Sequence, residues 1–251
     1  MAAIERGRME ALGSAARDYL WLLDRGYSSE AALKLVGDRR QLPREERMIL
    51  FRGLAPSARA ASRLPLLVSS PRGRRLLLDG HNQALTVMHY LEGRPLFLSN
   101  DGLLRDAGGS HGRIAREELF ERALGLLAES LASAAPSRVL ALFDAPIPRS
   151  ARHAASFGEL LAGLGIAAEA RLEADADAPL KRAPPGSAVA TSDSAIAEAL
   201  AARPAGEGLA LFDAARMAVA RLRASSREGE PEEPWLELRS LLEEPDQKAR
   251  R

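Results

Sequence analysis

The chain has 251 residues, 46% of them apolar and none of them Cys. That length suits one or two domains with a sizeable core. It excludes disulfides, thiolate metal sites and a Cys nucleophile. No stretch approaches the ~18 apolar residues of a membrane helix, and the charged start MAAIERGRMEALG lacks the apolar segment of a secretory signal. A cytoplasmic protein without a membrane partner is expected.

The formal net charge is +1, but it is unevenly spread. Residues 1–75 carry a net +7, residues 76–224 a net −3 and residues 225–251 a net −3. A basic first third before an acidic remainder predicts a docking part and a working part.

The first 64 residues read as a basic helical domain. Leu12, Ala15, Ala16, Tyr19, Leu20, Leu22 and Leu23 recur at helical spacing. Gly26 stops that helix, and Ser28 or Ser29 caps the next, over 30–36. Pro43 suits the first turn of a third helix reaching Leu54. Arg39, Arg40, Arg44 and Arg47 cluster here, either as a solvated face or as a grip on a nucleic-acid backbone. Residues 65–75, with two Pro, two Ser and a Gly, read as a linker.

From 76 onward, short apolar runs alternate with helical stretches. Strands are expected over 75–78, 95–99, 138–143, 166–172, 188–191 and 209–212. Helices are expected over about 83–92, 115–133, 150–163, 194–202 and 214–223. This alternation predicts an α/β domain with a mainly parallel sheet over 76–223. The remainder, 224–251, reads as a charged and largely disordered tail. Within it Trp235, Leu238, Leu241 and Leu242 can form a short helix that docks on the body.

Several expected strands end in an aspartate: Asp79, Asp144, Asp193 and Asp213. In an open parallel sheet these ends share one edge, where ligands bind. Carboxylates that converge repel each other, and at least one pKa rises unless a cation intervenes. Mg²⁺ prefers oxygen ligands, and metal-assisted phosphodiester hydrolysis uses such a pocket. Each Asp also suits an N-cap, Asp213 above all. The phosphate-binding P-loop, the dinucleotide fingerprint and the serine-hydrolase elbow are all absent from the sequence.

LLLDGHN, FDAP and VATSD together resemble the PIN-like nuclease superfamily, particularly its NYN branch. The chain over roughly 15–220 also resembles an uncharacterised prokaryotic family. That family pairs a helical N-terminal domain, with segments like YLWLLDRGY and VGDRRQL, with a PIN-like C-terminal domain. The resemblance implies a PIN-like, Rossmann-like three-layer fold and a Mg²⁺- or Mn²⁺-dependent nuclease acting on nucleic acid, RNA favoured. By position it implies metal ligation by Asp79, Asp144 and Asp193, with Asp177 as a further late acid. Asn82 would orient Asp79 or a bound water. The mid-chain Glu that many members carry on a helix corresponds to Glu117, Glu118 or Glu121, and the sequence does not choose between them. The alternative is a non-catalytic RNA- or partner-binding module with a degenerate pocket.

Other residues have two readings. Asn100-Asp101-Gly102 is turn chemistry; with Arg105, Asp106 and the glycine-rich stretch 108–112 it also forms a loop able to flank a cleft and meet phosphate or sugar. His81 lies inside the acidic motif, as a substrate contact or an exposed residue. Arg149 is placed to touch a phosphate backbone or to start a helix.

Overall fold

The computed structural model describes residues 6–108, 114–226 and 235–243. It divides into two compact units. The first comprises residues 1–64, 93–109 and 233–251, the second residues 65–92 and 110–232.

The second unit holds the six-stranded sheet. Its strands are β1 (Leu67–Val68), β2 (Arg75–Asp79), β5 (Arg138–Asp144), β6 (Ala168–Glu173), β7 (Ala188–Ala190) and β8 (Ala210–Phe212). They lie in the order β1-β8-β7-β2-β5-β6, and every pairing is parallel. The apolar runs LLL and VLALF form the central strands β2 and β5, whose residues are buried on both faces. Such continuous runs are what a sheet covered on both sides requires.

Helices complete three layers. Helix α5 (Gly80–Leu91), α6 (Glu117–Ala134), α7 (Ser150–Gly163) and α10 (Ala214–Ser226) pack on one another. The short α8 (Asp177–Lys181) packs on α9 (Ser194–Ala201) and on β2. Crossovers between parallel strands are right-handed as a rule, which puts helices that run in opposite directions along the sheet on opposite faces. The chain order reverses at β2: β5 and β6 follow on one side, β7 and β8 on the other. Such a reversal opens a crevice at the carboxyl ends of the strands.

The first unit contains α1 (Arg6–Asp24), α2 (Ser29–Arg39), α3 (Arg44–Gly53) and α4 (Ser57–Arg63). The Ser28 hydroxyl caps α2 by accepting from Ala31 N. This unit also contains a small sheet of β4 (Leu104–Asp106), β3 (Leu96–Leu98) and β9 (Trp235–Glu237), followed by α11 (Leu238–Leu242). Its core joins Leu12, Ala16, Tyr19, Ile49 and Leu50 to Phe97, Leu236, Leu238 and Leu241. Gly53 is needed where α3 meets this sheet, because a Cβ there would collide with Leu238 and Phe97.

Two boundaries differ from the sequence expectation. The strand expected over 95–99 pairs with β4 and β9 in the first unit, not in the large sheet. Nothing local distinguishes it, since its partner β9 lies more than a hundred residues away. The expected linker 65–75 contributes β1, which pairs with β8 at the sheet edge. The short docking helix expected within 224–251 is α11, with Trp235 in β9 rather than in the helix, and Arg17 Nη1 donates to the Leu241 carbonyl at 2.8 Å, tying α11 to α1.

Candidate functional site

Asp79, Asp144 and Asp193 lie at the ends of three neighbouring strands. Leu78 of β2 pairs with Ala190 of β7, and Asp79 pairs with Leu142 of β5. Asp144 is two residues past Leu142, so its side chain leaves β5 on the same face as that of Leu142. Asp193 follows three residues after the end of β7. The three acids expected from the sequence therefore lie along one edge of contiguous parallel strands.

Asp79 is the buried member, 5% exposed. Thr191 Oγ1 donates to its Oδ2 at 2.9 Å, and Asn82 N donates to its Oδ1 at 3.4 Å. Burial pushes this carboxyl up to about 7, and the charges of Asp144 and Asp193 push it the same way. The Thr191 and Asn82 bonds oppose that rise but do not cancel it. Gly80 allows this arrangement. A Cβ there would lie 2.7 Å from the Phe143 ring and 2.9 Å from the Leu142 carbonyl, so only glycine lets α5 start this close to β5.

Asn82 ties the strand ends together from the side. Its Oδ1 accepts from Ser192 N and Ser192 Oγ, each at 2.9 Å, and from Gln83 Nε2 at 3.1 Å. Gln83 Oε1 in turn accepts from Ala215 N at 2.9 Å. The Asn82 side-chain amide oxygen thus binds the β7 loop, while its backbone N–H orients Asp79. Thr191 bridges the same two segments, because its hydroxyl also accepts from Asp193 N at 3.0 Å.

Asp144 is more open, its side chain 35% exposed. Its Oδ1 accepts from Ala176 N at 3.3 Å, which brings the 175–177 segment to the rim. Behind it stands His81. That ring is 2% exposed and packs against Phe120, Phe143 and His153, so it is not the exposed residue that the sequence allowed. Its Nδ1 lies 3.0 Å from the Asp144 backbone nitrogen and 3.5 Å from Asp144 Oδ2. With a proton on Nδ1 the ring would donate to the carboxylate, and that bond is the largest cause favouring a low Asp144 pKa. The backbone contact is the shorter of the two, and in it Nδ1 accepts.

The remaining acids are more fully engaged. Asp193 caps α9, with Oδ1 accepting from Ala195 N at 2.7 Å and Ile196 N at 3.0 Å. Both bonds fall on one oxygen, so capping does not use up the side chain. Asp177 accepts from Lys181 Nζ at 2.8 Å. Asp213 caps α10, its Oδ1 accepting from Arg216 N at 2.8 Å. Glu117 accepts from His153 Nε2 at 2.7 Å and pairs with Arg149 at 3.1 Å. Burial would raise the Glu117 carboxyl, but those two partners outweigh it and hold it below the ordinary range. Arg149 itself is exposed and precedes α7 in the left-handed region, at φ 65°.

The second loop has a different role from the one expected. Asp101, Arg105 and Asp106 belong to the first unit. Asp101 is fully buried and accepts from Arg105 Nη2 at 2.8 Å, Arg105 Nη1 at 3.0 Å and Arg63 Nη1 at 2.7 Å. Burial would raise its carboxyl, but the two guanidinium groups hold it far below the ordinary range. Arg105 is 4% exposed, so its charge is spent inside the fold rather than on a phosphate. Asp106 accepts from Arg52 Nη1 at 3.2 Å and from Gly108 N at 2.8 Å. The expected glycine-rich stretch lies outside the described residues from 109 to 113. Asn100-Asp101-Gly102 does form the turn between β3 and β4, with Gly102 at φ 84°.

Among the four clustered arginines, Arg40 pairs with Asp18 at 2.7 Å and Arg47 with Asp38 at 2.8 Å. Arg39 and Arg44 are exposed on the helix surface. Sequence reading missed the roles of His153, Thr191, Ser192, Gln83 and Arg63. Only Thr191 and Ser192 carried a signal, as part of the T-S-D motif.

Among the described residues no three of His, Asp and Glu stand together as a ready-made metal cage. The donor set still suits a hard cation. It is all oxygen, and Mg²⁺ usually takes one or two protein carboxylates with water and substrate completing the shell. The mutual repulsion felt by Asp79 is the conflict that such a cation relieves. No helix among the described residues is long and apolar enough to cross a membrane.

Residues 68–203 match the family described as "Domain of unknown function (DUF5616)", and residues 11–65 match "Protein of unknown function (DUF434)". An uncharacterised protein of Methanocaldococcus jannaschii, MJ0935, is 26% identical over 188 residues, covering 74% of this chain and 88% of that protein. No solved structure matches the chain.

Proposed function

The chain belongs to the family described as Domain of unknown function (DUF5616), and we propose that its acidic pocket hydrolyses phosphodiester bonds of nucleic acid, RNA favoured, with Mg²⁺ or Mn²⁺. One observation carries this reading: three aspartates stand at the ends of adjacent parallel strands, and the buried one is driven up to about 7 by burial and, less strongly, by the charges of the other two. The resemblance of LLLDGHN, FDAP and VATSD to PIN-like nucleases supports it.

In this reading Asp79 and Asp144 hold the ion, and Asp193 supplies its oxygen that is not engaged by the α9 cap. The bound ion supplies an activated water and offsets charge on the phosphate. Thr191 keeps Oδ2 of Asp79 oriented, and Asn82 keeps the β2 and β7 loops in register. Asp144, the more exposed acid, stands at the mouth, where Oδ2 accepts a proton from the attacking water. No side-chain nucleophile is required, consistent with a chain that has no Cys. Exposed Arg39 and Arg44 provide sequence-independent charge for nucleic acid. The protein acts in the cytoplasm.

The test is cleavage of a panel of labelled RNAs and single-stranded DNAs by the full chain, with Mn²⁺ and with chelator. Cleavage that needs the ion supports the reading and identifies the polymer. Intact substrates in every lane, from folded protein at pH 8, would reject it.

A further inference from the structure

Behind Asp144 the structure carries a line of hydrogen bonds that runs through two buried imidazoles to a carboxylate. Asp144 N lies 3.0 Å from His81 Nδ1, His81 Nε2 lies 3.4 Å from His153 Nδ1, and His153 Nε2 lies 2.7 Å from Glu117 Oε1. His81 is 2% exposed and His153 0%. The two ends fix the direction of the line. A backbone N–H can only donate, and an ionised carboxylate can only accept. One arrangement satisfies all three contacts: each ring carries its proton on Nε2 and accepts at Nδ1. Phe120 and Phe143 hold the rings from the sides, with His81 edge-on to Phe143 at 5.0 Å and Phe120 4.5 Å from His153.

We infer that Glu117 and His153 are positioning residues for Asp144, acting by fixing the tautomer of His81. The bare Nδ1 of His81 anchors the Asp144 backbone and makes no bond to Oδ2, only 3.5 Å away. Oδ2 is thereby kept for a ligand. In the other tautomer Nδ1–H would face the Asp144 N–H, break that anchor and donate to Oδ2 instead. A carboxylate that accepts from an imidazole N–H is a poorer ligand and a poorer proton acceptor. The orienting acid thus sits one imidazole further from the pocket than is usual where a carboxylate orients a histidine directly. The hydrogen-bond direction stands independently of the proposed activity, whereas its consequence for cleavage rests on that reading.

Nitrogen-15 labelling of the histidines, with long-range proton–nitrogen correlation on the metal-free full chain, reads both tautomers directly. The expected result is the Nε2–H form for His81 and for His153. A proton on Nδ1 of either ring in the wild type overturns the inference, whatever the protein cleaves. Glu117→Ala removes the fixed acceptor, and the Nδ1–H form of His81 should then appear. In Glu117→Gln the amide can turn its oxygen to His153, so the Nε2–H forms should return. If wild-type cleavage is found, Glu117→Ala should lower kcat about tenfold, the lower end of the usual effect of an outer-shell partner, and Glu117→Gln should recover most of it. Tautomers that change in Glu117→Ala while kcat does not would overturn the positioning role. Expected tautomers in a wild type that cleaves nothing would leave the hydrogen-bond direction standing and reject the nuclease reading alone.

Discussion

Thr191 donates its hydroxyl proton to Oδ2 of Asp79 at 2.9 Å, across the gap between β7 and β2. This bond favours the ionised acid against burial and two negative neighbours. Thr191→Val keeps the shape and removes the donor. Asp79 should then hold its proton to higher pH, and the acid limb of Mn²⁺-dependent cleavage should move upward. A pH–rate profile of the variant against wild type checks this, and coincident acid limbs would show that the bond does not tune Asp79.

The same acid makes stability depend on pH. Its folded pKa of about 7 lies above the ordinary Asp value of 3.8, so the folded state binds more protons between these limits. Stability must therefore fall as pH rises from about 4 to about 7. Asp79→Asn removes that loss. Without divalent ions the variant should gain on the wild type as pH rises, by up to about 4 kcal/mol at pH 8, with little gain near pH 4. Added Mn²⁺ should stabilise the wild type at pH 8 and leave the variant unmoved. Thermal unfolding at the two pH values, with and without the ion, reads all of this.

Gly80 is fixed by packing against its neighbour strand. Gly80→Ala places a Cβ 2.7 Å from Phe143 and 2.9 Å from the Leu142 carbonyl. Overpacking of this kind costs about 1–3 kcal/mol. Because the residue follows Asp79 directly, the variant should also lose Mn²⁺ affinity. Phe143→Leu in the same chain relieves the ring contact but not the carbonyl contact, so it should restore stability only in part. Urea unfolding of the single and double variants measures this.

Asp101 pairs with two buried guanidinium groups, Arg63 and Arg105. Asp101→Asn removes the carboxylate that both guanidinium groups share, which should cost about 3–5 kcal/mol. Its depressed carboxyl also stabilises the first unit above the ordinary Asp range, and that contribution fades as pH falls toward the folded value. Urea unfolding at pH 7 and pH 3 should show a large deficit for the variant at pH 7 and a smaller one at pH 3.

The large sheet was legible because LLLD, LALFD and AVATSD are apolar runs ending in a polar residue, the signature of buried parallel strands. Asp79, Asp144 and Asp193 were legible for the same reason, since parallel order places such ends along one edge. The three-stranded sheet was not legible. Leu96–Leu98 looks like any other short strand, and its partner at Trp235–Glu237 lies far along the chain. The part of Arg105 was misjudged because a basic residue in a glycine-flanked loop reads as exposed; only the fold brings Asp101 and Arg63 around it. His81 and His153 are 72 residues apart, and no spacing rule joins two single histidines across that distance.

The most direct test compares wild type with Asp79→Asn on labelled RNA in Mn²⁺ at pH 8. Asp79 is the buried acid on which the pocket turns, and the substitution keeps its shape while removing its charge. Metal-dependent cleavage by the wild type, reduced at least a hundredfold in the variant (~3 kcal/mol of transition-state stabilisation), is the predicted result. Equal cleavage by both proteins would contradict the account, because the reaction would then not depend on this pocket.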